Sequence, residues 1–120
     1  MKILIVDDSR VMRSIVARTL RQAGYDDHDV VQASNGVEAL DVMADEVPDL
    51  VLCDWNMPEM TGIELLHTLR GQGDTTPFGF VTSEGSGQMR ERAEAAGALF
   101  LIAKPFTAEA FAEALEPVLG

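Results

Sequence analysis

The stretch Val51-Leu52-Cys53-Asp54-Trp55-Asn56-Met57-Pro58 decides the fold class, because an apolar run ends on a carboxylate and the chain then turns. An apolar run of this length, without polar alternation, is typical of a strand buried on both faces of a parallel sheet. In open α/β sheets, functional sites form just beyond the carboxyl ends of the strands. Asp54 lies at such an end and is the first candidate. Taken alone, an Asp that closes a strand is more often a turn residue.

Short apolar runs alternate along the whole chain with longer amphipathic segments. The predicted strands cover residues 3–6, 30–33, 50–53, 78–81 (finishing at Thr82) and 99–103. Gln32 places a polar residue inside the second of them, which favours an edge position. Strict alternation of strand and helix predicts an α/β fold with a doubly wound, five-stranded parallel sheet and right-handed crossovers. Residues 1–120 are predicted to form a single domain.

Helices are predicted after each strand. The first is capped by Ser9 and runs to about Gly24, with Val11 among the apolar residues at helical spacing. The second opens at Asn35-Gly36 and has Val37 on its inner face. Three further segments with apolar or Ala-rich helical spacing complete the pattern.

Composition excludes several classes of function. The chain has 120 residues, 47% of them hydrophobic, and a formal net charge of −11. Such a charge repels nucleic acid and anionic lipid. Cys53 is the only cysteine, so neither an intrachain disulfide nor a cysteine-based metal cluster is available. Without a membrane span or a signal peptide in the sequence, we expect a soluble cytoplasmic protein.

Polar side chains follow four of the five predicted strands. Asp7 and Asp8 follow the first strand, Asp54 the third, and Lys104 the fifth, while Thr82 ends the fourth. Because the carboxyl ends of parallel strands share one rim, we expect these five side chains to lie close together. Each has an ordinary structural explanation by itself, but a matched set at four strand ends is unlikely to arise by chance.

The chemistry of this set points to phosphoryl transfer. Carboxylates on one rim repel one another, and a hard cation with oxygen ligands relieves that repulsion. Mg²⁺ suits the site because it commonly takes one or two carboxylates together with phosphate oxygens. Lys104 and Thr82 are suited to bind a phosphoryl group. Asp54 is the best nucleophile candidate, since Asp7 and Asp8 form a paired metal site, and the expected product is an aspartyl phosphate.

These motifs resemble the response-regulator receiver domain, most closely the single-domain chemotaxis type, and the resemblance covers essentially the whole chain. The matching segments are Val6-Asp7-Asp8-Ser9, Asp54-Trp55-Asn56-Met57-Pro58, Val81-Thr82-Ser83-Glu84 and Lys104-Pro105-Phe106. The resemblance implies a flavodoxin-like (βα)5 fold with strand order 2-1-3-4-5. It also implies a signalling switch without a separate substrate, which phosphorylates and dephosphorylates only itself.

The resemblance further implies roles for particular residues. Asp54 would accept a phosphoryl group from the phosphohistidine of a sensor histidine kinase or phosphotransfer protein. The Mg²⁺ ligands would be Asp8, Asp54 and the Asn56 main-chain carbonyl, with Asp7 acting through water. Lys104 would pair with Asp54 or its phosphoryl group.

Further roles concern switching and turnover. Thr82 would move to bind a phosphoryl oxygen, altering the face formed by the fourth helix, fifth strand and fifth helix. That face would bind a downstream protein, for example a flagellar motor switch. Asn56 and Glu84 would tune loss of the phosphoryl group, and the Lys104–Pro105 peptide bond would be cis.

One position departs from the family pattern. Receivers of this type usually carry Tyr or Phe three residues before the lysine, as a switch coupled to the threonine. Here Leu101 occupies that position and the aromatic residue is its neighbour Phe100. Because strand side chains alternate between faces, Phe100 is predicted to point the other way.

Three alternatives remain open at this point. A phosphatase of the haloacid-dehalogenase type also uses Asp, Thr, Lys and Mg²⁺, but needs two aspartates spaced by one residue on its first strand. A flavodoxin would need a phosphate loop where Asp7-Asp8 would repel an anion. The third alternative is a receiver-like module that binds partners without phosphorylation.

The chain is expected to lack an output domain because it ends just after the fifth helix.

Overall fold

Strands and helices alternate strictly in the computed structural model, which describes residues 1–25, 27–83 and 85–119. The strands are β1 (Lys2–Val6), β2 (Asp29–Ala33), β3 (Leu50–Cys53), β4 (Phe78–Thr82) and β5 (Phe100–Ala103). The helices are α1 (Arg10–Gln22), α2 (Gly36–Asp45), α3 (Gly62–Gly71), α4 (Gly87–Ala96) and α5 (Ala108–Leu119). Each helix follows the strand of the same number.

The strands form one parallel sheet in the order β2-β1-β3-β4-β5. The predicted order is therefore confirmed, and so is the edge position of β2. Residues of β1, β3 and β4 are buried almost without interruption, because helices cover both faces of these central strands. Order and direction together bring the carboxyl ends of all five strands to one rim.

Two apolar cores lie on opposite faces of the sheet. One contains residues of α2, α3 and α4, such as Met43, Leu66 and Ala93. The other contains residues of α1 and α5, such as Leu20 and Phe111. Burial at this level supplies most of the driving force for folding, at about 25 cal/mol for each Å² of apolar surface removed from water.

Side-chain caps begin each of the five helices, close to the rim. The acceptors are the side chains of Ser9, Asn35, Thr61, Ser86 and Thr107, each bound to a backbone N–H in the first turn. Such caps occupy N–H groups that would otherwise lack partners. Thr61 and Glu64 form a reciprocal capping box, which fixes where α3 starts after the β3 loop.

Several predicted details differ from the structure. Strand β5 begins at Phe100, one residue later than predicted, and Leu99 is exposed. Helix α1 ends at Gln22, and Gly24 has a φ of 100° beyond it. Val11 and Val37 were predicted to face inward but are 71% and 47% exposed.

Those two valines share a physical explanation. Each is the second residue of its helix, α1 or α2. The first turn of a helix in a βα unit lies at the rim, where the sheet beneath it ends. A residue on the inner stripe at that level therefore has little core to pack against.

None of the helices in the described part of the chain combines the length and apolar character that a membrane crossing requires.

Candidate phosphoryl and metal site at the strand ends

Asp7 and Asp54 emerge side by side because β1 and β3 are paired to their last residues. Val6 is in register with Cys53, and the Asp54 N–H donates to the Val6 carbonyl at 2.9 Å. Asp7 is buried, Asp8 is exposed, and the Asp54 side chain is 11% exposed. One carboxylate oxygen from each aspartate lies within 4.8 Å of the others. The rim thus gathers three acidic groups that differ in their contact with water.

Lys104 reaches the same cluster from β5. Its backbone N–H donates to the Thr82 carbonyl at 2.8 Å, which extends the β4–β5 pairing by one residue. Its Nζ lies 3.1 Å from Asp7 Oδ2 and 3.6 Å from Asp54 Oδ2. The Lys104–Pro105 peptide bond is cis. One ammonium group therefore bridges two of the three carboxylates.

Thr82 ends β4 beside Asp54 and is fully buried. Its hydroxyl and the Trp55 backbone N–H both act on the Asp54 carboxyl as hydrogen-bonding groups that lower its pKa. Asp54 is therefore contacted from β4, from β5 and from the start of its own loop. The structure brings together the five side chains predicted for this rim: Asp7, Asp8, Asp54, Thr82 and Lys104.

The pKa of Asp54 is raised above the ordinary carboxyl value. Burial is the largest cause, and the negative charge of Asp7 acts in the same direction. Lys104 is the main opposing influence, helped by the hydrogen bonds from Trp55 and Thr82. A partly desolvated carboxylate beside a cation is a good nucleophile when ionised, because fewer water molecules must leave before it reacts.

The acidic cluster has the donors that a hard divalent cation prefers. All three groups are carboxylates, and their oxygens are close enough to share one ion. Magnesium binds oxygen at about 2.0–2.1 Å and keeps several waters, so an exposed ligand such as Asp8 suits it. The residues present therefore fit Mg²⁺.

Trp55 connects this site with α4. Its ring is buried and packs against Phe80 with centroids 4.8 Å apart. The Arg92 guanidinium of α4 lies over the same ring, with Cζ 5.2 Å from the centroid. This cation–π contact was not predicted, and no sequence spacing between a loop and a distant helix signals it.

The close passage of α3 beneath the site depends on Gly62. A Cβ at this position would overlap the Asp54 carbonyl oxygen, and the Gly62 N–H donates to the Trp55 carbonyl at 2.8 Å. The loop between β3 and α3 is therefore closed on itself. It holds Asn56 near Asp54 with its side chain exposed.

The other predicted site positions have varied outcomes. Glu84 lies outside the described residues. Leu101 is buried in the core on the α4 face, whereas Phe100 packs against the core on the α5 face, as strand alternation predicted. Cys53 is fully buried, which together with Asp54 raises the pKa of its thiol well above the usual value. It is a core residue, as expected.

Arg13 is a neighbour of the site that the sequence did not reveal. Its Nη1 donates to the Asp7 main-chain carbonyl at 2.6 Å, and its Nε donates to Gln32 Oε1 at 2.9 Å. The one available signal was Gln32 itself, a polar residue in an otherwise apolar strand. Taken only as a mark of an edge strand, it gave no indication of its partner.

Known proteins with similar sequences indicate the family to which the chain belongs. A model of the family described as response regulator receiver domain matches residues 3–116. The chain is 43% identical to a chemotaxis protein CheY homolog of Campylobacter jejuni, across 100% of this chain and 93% of that protein. It is 42% identical to chemotaxis protein CheY1 of Helicobacter pylori, across 100% of this chain and 98% of that protein.

The fold is equally similar to a solved structure. Chemotaxis response regulator CheY4 of Vibrio cholerae superposes with a TM-score of 0.84 at 38% identity, covering 98% of each chain.

Proposed function

We propose, from the premise that this chain belongs to the response regulator receiver domain family and is CheY-like, that it is a signalling switch controlled by phosphorylation of Asp54. Proteins of this family act in two-component regulation and are not classical enzymes. The observation that carries the proposal is the environment of Asp54, a carboxylate contacted by an ammonium group and a buried hydroxyl beside two further carboxylates.

The reaction we propose begins at the ionised carboxylate of Asp54. An oxygen of Asp54 attacks the phosphorus of a phosphohistidine, the new P–O bond forms as the P–N bond breaks, and the imidazole leaves. Lys104 favours the reactive form because it lowers the pKa of Asp54 against the effect of burial. Lys104 and the Thr82 hydroxyl then stabilise the charge that develops on the transferred group.

Magnesium completes the charge balance in this proposal. Asp8, Asp54 and the Asn56 main-chain carbonyl would hold it, with Asp7 acting through water. When bound, Mg²⁺ neutralises charge on the phosphoryl oxygens. We further propose that Asn56 and Glu84 set how fast water removes the phosphoryl group.

The output surface in this proposal is the face formed by α4, β5 and α5. Two cavities flank Arg90 there, of about 140 Å³ against α4 and about 460 Å³ against α5, and Leu101 lines both. Movement of Thr82 at the end of β4 would reach this face through β5. We propose a downstream protein target such as a flagellar motor switch, a histidine kinase or phosphotransfer protein as donor, and action of this one domain in the cytoplasm.

The experiment supplies acetyl phosphate and Mg²⁺ and measures the intact mass together with Trp55 fluorescence. We expect one added phosphoryl group per chain and a change in emission, because Trp55 is the residue next to Asp54 and its backbone N–H acts on the Asp54 carboxyl. Asp54→Asn is expected to abolish both. Asp41→Asn, an equal charge change at an exposed position of α2, is the matched control.

A wild-type chain that stays unmodified, with Mg²⁺ bound, would overturn phosphorylation control. It would favour the phosphorylation-independent binding module instead. Binding of a purified motor-switch protein, with and without beryllofluoride, then separates the two: only a switch gains affinity when beryllofluoride is present.

A further inference from the structure

Arg13 lies beside an acidic cluster yet binds neutral groups. Among the described residues its two hydrogen bonds end on the Asp7 carbonyl and on the Gln32 side-chain amide, at 2.6 and 2.9 Å. Within the described residues it forms no ion pair with any carboxylate. Neutralising the aspartates is therefore not its structural task, and Lys104 already does this for Asp7 and Asp54.

The carbonyl that Arg13 holds belongs to the peptide unit between Asp7 and Asp8. A peptide unit is planar, so restraining its oxygen also restrains the Asp8 N and Cα in the same plane. Arg13 thereby restrains the main chain from which the Asp8 side chain projects.

Asp8 depends on this restraint more than Asp7 does. The Asp7 side chain accepts from the Ser9 N–H at 2.9 Å and from Lys104 at 3.1 Å, and its backbone N–H donates to Ala33. The Asp8 side chain is exposed and has no hydrogen-bond partner among the residues that the structure describes. Its place at the site is set by the backbone beneath it.

Gln32 orients Arg13 from the neighbouring edge strand. Gln32 is paired in register with Ile5 on β1, two residues before Asp7. Its side-chain oxygen accepts from Nε, while Nη1 of the same rigid guanidinium points to the Asp7 carbonyl. Because the guanidinium is planar, holding Nε on Gln32 also sets the direction in which Nη1 points to the Asp7 carbonyl.

We propose that Arg13 is a positioning residue for the metal site, which holds the Asp7–Asp8 peptide so that Asp8 faces a divalent cation, and that Gln32 orients Arg13 for this role. The inference rests on the proposed function, because it requires that the acidic cluster bind Mg²⁺. It predicts that removing the positive charge of Arg13 weakens the binding of Mg²⁺, which is also a cation.

This prediction separates a positioning role of Arg13 from a simple electrostatic effect on Mg²⁺ binding. By Coulomb's law alone, loss of a positive charge near the cluster would tighten Mg²⁺ binding. Loss of a supporting hydrogen bond behind a metal ligand instead lowers metal affinity, typically by about 10–100-fold. The two effects have opposite signs, so the direction of the change is decisive.

The experiment measures the Mg²⁺ dissociation constant by titration of Trp55 fluorescence and by calorimetry, with Mg²⁺ as the sole ligand. We expect Arg13→Gln to weaken binding by about 10-fold, and Gln32→Leu to weaken it by about 3–10-fold although it changes no charge. Arg13→Lys, which keeps the charge and one donor group, should fall between wild type and Arg13→Gln. The double variant Arg13→Gln/Gln32→Leu should bind Mg²⁺ no more weakly than Arg13→Gln alone, because both substitutions act through one contact.

Arg18→Gln is the matched control, since it removes the same charge from an exposed position on the same helix. Thermal unfolding without Mg²⁺ establishes whether each variant is folded. If Arg13→Gln does not fold, the Mg²⁺ affinity of Gln32→Leu tests the positioning role. Variants that bind Mg²⁺ as tightly as wild type, or more tightly, overturn the positioning role alone. A wild-type chain that binds no Mg²⁺ overturns the proposed metal site as well.

Discussion

Asp54 lies among groups that act on its ionisation in opposite directions. Burial and the charge of Asp7 raise its pKa, whereas Lys104 and the hydrogen bonds from Trp55 and Thr82 lower it, and the net effect is a raised value. The folded chain therefore binds a proton at this carboxyl more tightly than the unfolded chain does. At neutral pH the ionised Asp54 weakens the fold, although this is the form that the proposed phosphoryl transfer requires.

A pH-dependent effect on stability follows for Asp54→Asn. Stability from a carboxyl with a raised pKa is fully present below its unfolded pKa and is lost as pH rises through the folded pKa. The neutral amide avoids this loss, so we expect the variant to melt a few degrees higher than wild type at pH 7. The difference should shrink as pH falls through the raised pKa of Asp54 toward the ordinary carboxyl range.

Thermal unfolding followed by circular dichroism between pH 4 and pH 8, without Mg²⁺, measures the effect. Asp41→Asn serves as the control at an exposed position and should show a smaller gain at pH 7. An Asp54→Asn variant less stable than wild type at pH 7 would mean that the contact with Lys104 outweighs burial.

The residue scale also shows how far the sequence leads. Asp7, Asp54, Thr82 and Lys104 could be placed together in advance, because strand ends of a parallel sheet converge whatever their rotamers. Arg13 could not, because its contacts depend on where a long side chain points after the helix has packed.

At the scale of elements, β5 carries Phe100 and Leu101 where the family pattern has the aromatic residue at the position of Leu101. This arrangement is accommodated by Gly79 in β4. Phe100 is in register with Gly79, and a Cβ at Gly79 would overlap the Phe100 ring. The ring thus fills the space that a side chain on β4 would take. Leu101, on the opposite face, packs in the core beside α4.

We expect Gly79→Ala to destabilise the fold by about 1–3 kcal/mol, the usual range for overpacking a filled site. The same change should cost less in a Phe100→Ala background, since the ring that it meets is gone. Urea unfolding of the four chains in this cycle measures the coupling. Gly71→Ala is the control, because a Cβ there meets nothing within 4 Å. Equal costs in both backgrounds would show that Phe100 is not what excludes a side chain at Gly79.

Helical periodicity predicted the elements well but misplaced their first turns. Val11 and Val37 have the spacing of inner-face residues, yet the sheet ends beneath them and leaves them exposed. Periodicity describes the direction of a side chain around the helix axis, and burial also depends on position along that axis.

For the whole molecule, the sequence determined the architecture because each level of information agreed. Apolar runs gave the strands, their alternation with helices gave the parallel sheet, and the family motifs gave the order that the structure confirms. The net charge of −11 is also evident from the sequence, but its effect on stability depends on where the fold places the charged groups. Folding concentrates part of that charge at the rim and spreads the rest over the surface.

A salt response separates these two parts. Raising NaCl from about 20 to 200 mM shortens the screening length and should raise the melting temperature by a few degrees, because it reduces general repulsion. At matched ionic strength, Mg²⁺ should raise it further, since an ion that binds only the folded state stabilises it by mass action. Differential scanning calorimetry measures both increments.

Asp8→Asn is expected to retain the response to NaCl and to lose most of the additional response to Mg²⁺. Asp41→Asn should keep both. Equal effects of Mg²⁺ and NaCl on the wild-type chain at one ionic strength would contradict a specific site at the rim.

The ion pair between Lys104 and Asp7 joins residues 97 positions apart. A ribosome therefore makes all the rim carboxylates well before the ammonium group that balances two of them. At roughly 5–20 residues per second, about 3–10 s separate the synthesis of Asp54 from that of Lys104. A nascent chain in that interval has Asp54 but neither Lys104 nor β5. We therefore expect a donor that meets the protein during translation to find no competent acceptor until the last strand has been added.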